Sequence, residues 1–480
     1  MQDVAEFDVV IVGTGFASTF FLKKLLESKT IKRVLVLERG SRHSYAWQVE
    51  NIRNNNLEIP RPHRETGLPG KWWNYTIGFG GGSNCWWTNA MRLHPSEFEL
   101  QSRYGVGIDW PISYQDLEPY YCDAEDDMLV SGDNSSSIMF PRSRPFPQPR
   151  HRYSEVGSAL KAAYPDETFA MPTTRGRVAN DRRGVCCAVG NCTFCPNQAK
   201  FTIVEEMGHL FEDPRVTLEL EAEVLAVETS AGLASGVIYR ISGQEKQARA
   251  GFIALGANGI FNPFILLKSG LTDGPVGRGI VEQIPINLTI DFTHAKTQGF
   301  SSYIGAVNHS FVDGPQRAHG AGGFVEIKNF FQARPNRDKW NNQASAVFLL
   351  GDLRNEENRV IVDPDAPDHP MVVFKDWSPY AYAGVDYVRS RLHEFFAPLG
   401  IDRIEGNFGK AGTHSHIEGT TVMGLDPRTS VIDGDLLHHK VRNLAVLGSG
   451  AFPTSPGSNP TLTIAALSLR SASRTVLGHS

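Results

Sequence analysis

The 480 residues contain no apolar run near the ~20 needed to cross a bilayer, so a membrane-spanning helix is not expected. Excess positive charge is also missing. Against 52 Asp and Glu stand 47 Lys and Arg, leaving a net charge of −5 and no broad basic surface for nucleic acid. The opening "MQDVAEFDVVIVGTG" lacks a basic leader, a long apolar stretch and a small-residue cleavage site, and a cytoplasmic setting is expected. Cysteine is scarce, six in all, which argues against a disulfide framework in such a setting. What is plentiful is glycine (46) and proline (28), the residues of tight turns and irregular loops. At 41% hydrophobic and 21% charged, the composition is that of a globular protein of two or three structural units.

The segment "FDVVIVGTGFASTFFLKKLLESKTIKRVLVLERG" reads as strand, glycine turn, helix and strand. Val9–Val12 and Val34–Leu37 are continuous apolar runs, as expected of strands buried on both faces. Between them lies Gly13-x-Gly15-x-x-Ser18. Gly13 serves the tight turn, Gly15 lets a pyrophosphate approach the backbone, and Ser18 takes the place of the usual third small residue. Glu38 follows Ser18 by 20 residues, where a carboxylate meets a ribose hydroxyl. The unit predicts dinucleotide binding without choosing between NAD and FAD.

Further along, Gly80-Gly81-Gly82-Ser83-Asn84 has no bulky side chain and suits backbone lying against a flat ring system, with Trp86 and Trp87 as a shaped wall behind it. Phe252–Leu255, ended by Gly256-Ala257, reads as another buried strand, and "ASGVIYRISGQEKQARAGFIA" as a hairpin leading into it. The C-terminal part contains His416 in H-x-x-G-T and, 43 residues on, Ser458-Asn459-Pro460.

These four segments together resemble the glucose–methanol–choline oxidoreductases, FAD-dependent alcohol-oxidising enzymes. The ending "NPTLTIAALSLRSA" is most similar to the pyranose oxidase branch. The resemblance runs from Phe7 to about Ala472 and is weaker in the middle. It implies an α/β fold with a Rossmann-type FAD-binding domain and a substrate domain built on an antiparallel sheet with helices. It implies FAD contacts at Gly81, Gly82, Ser83, Asn84, the Val224 backbone, Ala257, Gly448, Pro460 and Thr461. His416 would be the base that takes the substrate hydroxyl proton as hydride leaves for the flavin, with Asn459 holding the alkoxide. His414 is the reserve candidate; in an extended segment it would point to the opposite side. Pyranose oxidases carry the flavin covalently on a histidine where this chain has Trp86, so noncovalent FAD is expected. "HHK" at 438–440 reads as a solvated turn.

The expected FAD domain comprises 1–105, 200–285 and 405–480; the substrate domain comprises 106–199 and 286–404. "GGFVEIKNFF", "ASAVFLLGDL" and "NRVIVDPDAPDHPMVVFKDW" suit one antiparallel sheet, "GVDYVRSRLHEFFAPLGI" an amphipathic helix ending at Gly400, and Ser131–Arg152 a loop or arm.

Four cysteines crowd into ten positions: Cys186, Cys187, Cys192 and Cys195. The stretch resembles the cysteine segment of the family's glucose and fructose dehydrogenases, which implies an iron–sulfur cluster beside the flavin. Structural thiols or a disulfide come next, and zinc last, since only Cys192-x-x-Cys195 makes a zinc knuckle.

The expected enzyme oxidises a hydroxyl of a sugar or sugar-like alcohol, aminoglycosides included, and delivers electrons to dioxygen or an external acceptor. A homo-oligomer is compatible with this. The alternatives are a flavin and iron–sulfur electron-transfer subunit with no alcohol substrate, and an NAD-dependent dehydrogenase. The His416–Asn459 pair argues against the first, and the Gly80 loop with the C-terminal segment against the second.

Overall fold

The computed structural model describes residues 5–54, 62–293, 301–328, 342–409 and 412–476. The fold is α/β, as expected. Two large sheets organise the chain, and the first contains the N-terminal strand, glycine turn and helix. Its strands lie side by side in the order Val216–Glu219, Val34–Leu37, Ala5–Val12, Gln244–Leu255, Leu233–Ile241, Ala222–Ser230. Leu444–Val446 adds a parallel strand beside the end of Gln244–Leu255. The central strands pair in parallel. Val9–Val12 and Val34–Leu37 are buried throughout, which explains why they read as unbroken apolar runs rather than alternating ones.

The helix Phe16–Leu26 covers one face of this sheet and packs against the C-terminal helix Thr461–Thr475. Phe20 and Phe21 of the first and Leu462 and Leu469 of the second lie in one core. The hairpin Leu233–Ile241/Gln244–Leu255 turns at Ser242-Gly243, both at positive φ, the backbone that a two-residue hairpin matched to strand twist requires.

The second sheet is antiparallel, in the order Ile401–Phe408, Ile284–Phe292, Gln343–Leu350, Gly323–Lys328, Ile304–Phe311, Thr168–Phe169. Helix Pro379–Phe396 packs on it through Val385, Val388, Leu392 and Phe396. That helix begins ahead of the expected Gly384, because Ser378 caps it and Pro379 suits its first turn. Gly400, at φ +67°, follows its terminal turn. Of the three stretches expected in one sheet, two join it, though residues 329–331 of "GGFVEIKNFF" lie outside the described residues. The third does not join. Arg359–Val362 and Pro370–Phe374 make their own hairpin, which pairs with Arg64–Gly67. Ser131–Gly132 and Gln148–Pro149 pair briefly at the base of the expected loop.

The turn at 438–440 is not solvated at its start. His438 is buried, and its Nδ1 accepts from the backbone of Lys440 and Val441, so the ring serves as a turn brace. Among the described residues no helix is long and apolar enough to cross a membrane.

Candidate active site

One cavity of about 800 Å³ runs from the first glycine turn to the face of the antiparallel sheet. Its inner end is made by backbone. Gly13 sits at φ +87°, and a Cβ there would meet the Gly256 carbonyl at 2.8 Å, so no other residue fits. Gly15 precedes the first turn of helix Phe16–Leu26. A Cβ on Gly81 would stand 2.8 Å from the Gly15 Cα, so the two glycine turns press together. Glu38 closes this end. Its carboxylate accepts from the Thr14 amide (3.1 Å) and hydroxyl (2.7 Å) and from the Gly40 amide (2.9 Å). Burial pushes its pKa up, against the pull of those donors.

Most of the residues expected at the cofactor line this cavity: Gly13, Gly15, Glu38, Gly81, Gly82, Val224, Ala257, Gly448, Pro460 and Thr461. Three stand behind its wall. Ser18 donates to the Val12 carbonyl (2.9 Å), Ser83 to the Gly80 carbonyl (2.7 Å), and Asn84 to the Phe79 carbonyl (2.9 Å), so they brace the turns from behind. Trp86 lines the cavity, packs edge-on against Phe16 and donates to the Phe201 carbonyl.

The outer end holds His414, His416 and Asn459. The segment bearing the histidines is not extended. Ser415, at φ +66°, turns the chain left-handed, and both histidines therefore line the cavity instead of pointing apart. A left-handed residue with a side chain costs of order 1 kcal/mol and persists only where the surroundings enforce it. Here the enforcing group is Glu282. One of its oxygens accepts from the amides of His414 (2.8 Å) and His416 (2.9 Å) and from the Thr413 hydroxyl (3.0 Å). The other pairs with Lys71, whose ammonium also lies 3.9 Å from the centre of the Trp73 ring. Burial pushes the Glu282 pKa up, but Lys71 and the two histidines outweigh it and hold it below the ordinary carboxylate range.

Burial carries His416 down to about 4, with His414 and Lys71 adding to the effect and Glu282 opposing it. His414 falls to about 4, again chiefly by burial. Both rings are thus neutral near pH 7. His416 Nδ1 lies 2.7 Å from Oε1 of Gln283, whose Nε2 donates to the carbonyls of Pro456 (2.8 Å) and Ser458 (3.0 Å). Asn459, next in the chain, has a buried amide oxygen with no hydrogen-bond partner. Asn459 lines the cavity, and its amide nitrogen is a donor suited to a substrate oxygen. With the backbone cradle at one end and His416 and Asn459 at the other, the residues fit a bound FAD and a small hydroxylated substrate.

Lys71, Glu282 and Gln283 carry no motif. Their one sequence signal is that Glu282-Gln283 interrupts the apolar run Ile280-Val281…Ile284.

The cysteines are arranged differently. All six are free thiols. Cys192 and Cys195 are buried, Cys186 is half-buried and Cys187 is exposed. Among the described residues, no three His, Cys, Asp or Glu side chains converge as metal ligands. Their arrangement lends no support to an iron–sulfur cluster or to zinc. What the segment brings to the cavity is Thr193 and Phe194.

Residues 402–468 match the GMC oxidoreductase family model. Over 97% of both chains the sequence is 28% identical to the fructose dehydrogenase large subunit of Gluconobacter japonicus. It is 28% identical to paromamine 6'-oxidase of Streptomyces fradiae, over 98% of this chain and 91% of that one. The fold superimposes on the crystal structure of pyridoxine 4-oxidase from Mesorbium loti with a TM-score of 0.68, covering 99% of this chain and 100% of the other at 15% identity.

Proposed function

We propose that this chain, a member of the glucose–methanol–choline family of FAD-dependent alcohol and sugar oxidoreductases, oxidises a hydroxyl of a sugar-like compound to a carbonyl with His416 as base. FAD, when bound, supplies the hydride acceptor. Gly13, Gly15 and Gly81 would hold its phosphates and ring by backbone, Glu38 its ribose, and Val224 its adenine. His416, kept neutral by burial, takes the hydroxyl proton as the C–H bond breaks. Asn459, through the donor end of its amide, Nδ2, would hold the substrate oxygen in place. The observation that carries the reading is the convergence of a neutral buried histidine and the Asn459 amide on one cavity floored by glycine turns.

The sugar-like substrate class is supported by the polar outer wall. Glu326 is buried there, accepting from Asn89 Nδ2 at 2.7 Å. Lys328, two residues along the same strand, lies over Trp87. A carboxylate, an amide, an ammonium and an indole face suit a ring with several hydroxyls. The relatives named for fructose and paromamine point the same way.

In this reading FAD is noncovalent, with tryptophan at 86, and no cluster is involved; electrons pass from the flavin to dioxygen or an external acceptor. The FAD domain is 1–105, 200–285 and 405–480, and 106–199 with 286–404 covers the substrate. A cytoplasmic location accords with six unpaired thiols. The test is anaerobic flavin reduction by a panel of hexoses, aminosugars and cyclohexanol. Reduction by the polyhydroxylated compounds is expected; a flavin that none of them reduces refutes the reading.

A further inference from the structure

Gln283 is buried at the entry to the strand Ile284–Phe292 and touches both halves of the outer site. Its amide cannot be turned around. The nitrogen faces two carbonyl oxygens, those of Pro456 and Ser458, and the swapped orientation would set oxygen against oxygen at 2.8 and 3.0 Å. The amide oxygen therefore faces His416 Nδ1 at 2.7 Å and can only accept. A neutral imidazole has one N–H, and this contact requires it on Nδ1.

We infer that Gln283 is a positioning residue that locks His416 in the Nδ1–H tautomer, leaving the Nε2 lone pair as the proton acceptor, and ties that base to the turn carrying Asn459. The inference rests on the reading of His416 as base. In the step it prepares, the substrate O–H bond breaks, an N–H bond forms at Nε2, and the C–H electron pair leaves as hydride to the flavin that the family's activity supplies.

A neutral acceptor at this place has a consequence of its own. A carboxylate would also select the Nδ1–H tautomer but would stabilise the imidazolium and draw the ring toward the charged form. The ionisable groups already facing His416 are Glu282, Lys71 and His414, with Glu418 beside Gln283 (3.4 Å from its Nε2). An amide adds no charge to that set, so the ring stays unprotonated while its orientation is fixed.

The first measurement is ¹⁵N NMR of histidine-labelled wild-type holoenzyme, with His416 assigned by its absence in His416→Ala. Protonated Nδ1 and bare Nε2 are expected; the opposite tautomer overturns the inference even if no Gln283 variant folds. The second is anaerobic flavin reduction against pH, using whichever of the panel sugars reduces the wild type fastest. Gln283→Leu should slow reduction by roughly 10–100-fold, part of the usual worth of a general base, with substrate Kd nearly unchanged. Gln283→Glu should recover part of that loss and move the acid limb to higher pH. Wild-type rate and acid limb in Gln283→Leu overturn the inference. If His416→Ala itself reduces normally, the underlying reading fails instead.

Discussion

The outer active site and the cysteine segment are both dense in reactive side chains, yet they are built in opposite ways. The site links Lys71, Glu282, Gln283 and His416 by hydrogen bonds and one buried ion pair, and Gln283 reaches the turn carrying Asn459 through the Ser458 carbonyl. The cysteine segment is local, and among the described residues no three of its thiols form a metal-ligand group. What holds it is not sulfur. Arg183 makes a buried pair with Glu206 (2.6 Å) and donates to the Thr174 and Met128 carbonyls. Tyr45 bonds the Cys195 backbone, and the buried Lys200 donates to the carbonyls of Asn84 (2.6 Å) and Thr193 (2.8 Å). Burial carries that lysine down to about 8. Lys200 thereby ties the segment to the glycine loop, which places Phe194 at the cavity wall. Crowding in sequence and convergence in space are different properties, and chemistry needs the second.

The comparison breaks most readily at Lys71. Replacing it by Met strands the buried Glu282 carboxylate, and removing one partner of a buried pair typically costs about 3–5 kcal/mol. Urea unfolding should show that loss. A variant within about 1 kcal/mol of wild type would mean that Glu282 is not the anchor of the histidine loop.

Next in size is Glu326→Gln. Losing a charged acceptor from the substrate wall should raise KM for the best sugar by about tenfold, the worth of a hydrogen bond to a charged group. The rate of flavin reduction at saturation should change less. An unchanged KM would remove Glu326 from the substrate wall.

Acid should act on the site and on the fold together. His151, His414, His416 and His438 have values near 4 in the folded chain and His309 near 3, all lowered chiefly by burial. Below the ordinary value of 6.5 the unfolded chain binds protons that the folded chain refuses. The stability these rings contribute is therefore present above pH 6.5 and lost progressively as pH falls toward 4. Asp352, raised to about 7 by burial, acts in the opposite direction. The melting temperature should drop through that window, and flavin reduction should stay level down to about pH 5 and fall below it. A reduction rate that falls already between about pH 7 and 6 would contradict a neutral, buried His416.

The smallest effect belongs to the thiols. Cys186→Ser, Cys192→Ser and Cys195→Ser should leave flavin content and delivery of electrons to a large external acceptor unchanged, and purified wild type should hold less than about 0.1 iron per chain by metal analysis. Stoichiometric iron lost on these substitutions would restore a cluster.

How much of this was readable beforehand follows the same divide. The strands at Val9–Val12 and Val34–Leu37 were legible because burial on both faces writes itself as an unbroken apolar run. The hairpin at Ser242-Gly243 was legible from local turn chemistry. His416 and Asn459 stood out only through motif resemblance. Ser18, Ser83 and Asn84 sit at the expected turns but brace them from behind, a distinction of side-chain direction that spacing does not carry. The left-handed Ser415 was hidden, because its conformation is imposed by Glu282 from a distant stretch of the chain. Gln283 was hidden for the same reason: its role exists only once Pro456 and His416 meet it. The pairing of Pro370–Phe374 with Arg64–Gly67 is likewise a contact between distant stretches that no local pattern encodes.

The most direct test places the two regions side by side in one anaerobic stopped-flow experiment. Wild type, His416→Ala, His414→Ala and the triple Cys186→Ser/Cys192→Ser/Cys195→Ser variant are each reduced by the same sugar. His416→Ala should retain FAD and reduce it about 10²–10⁴-fold more slowly, His414→Ala should lose far less, and the triple cysteine variant should match wild type. Near-normal reduction in His416→Ala, with the large loss in His414→Ala instead, would contradict the account.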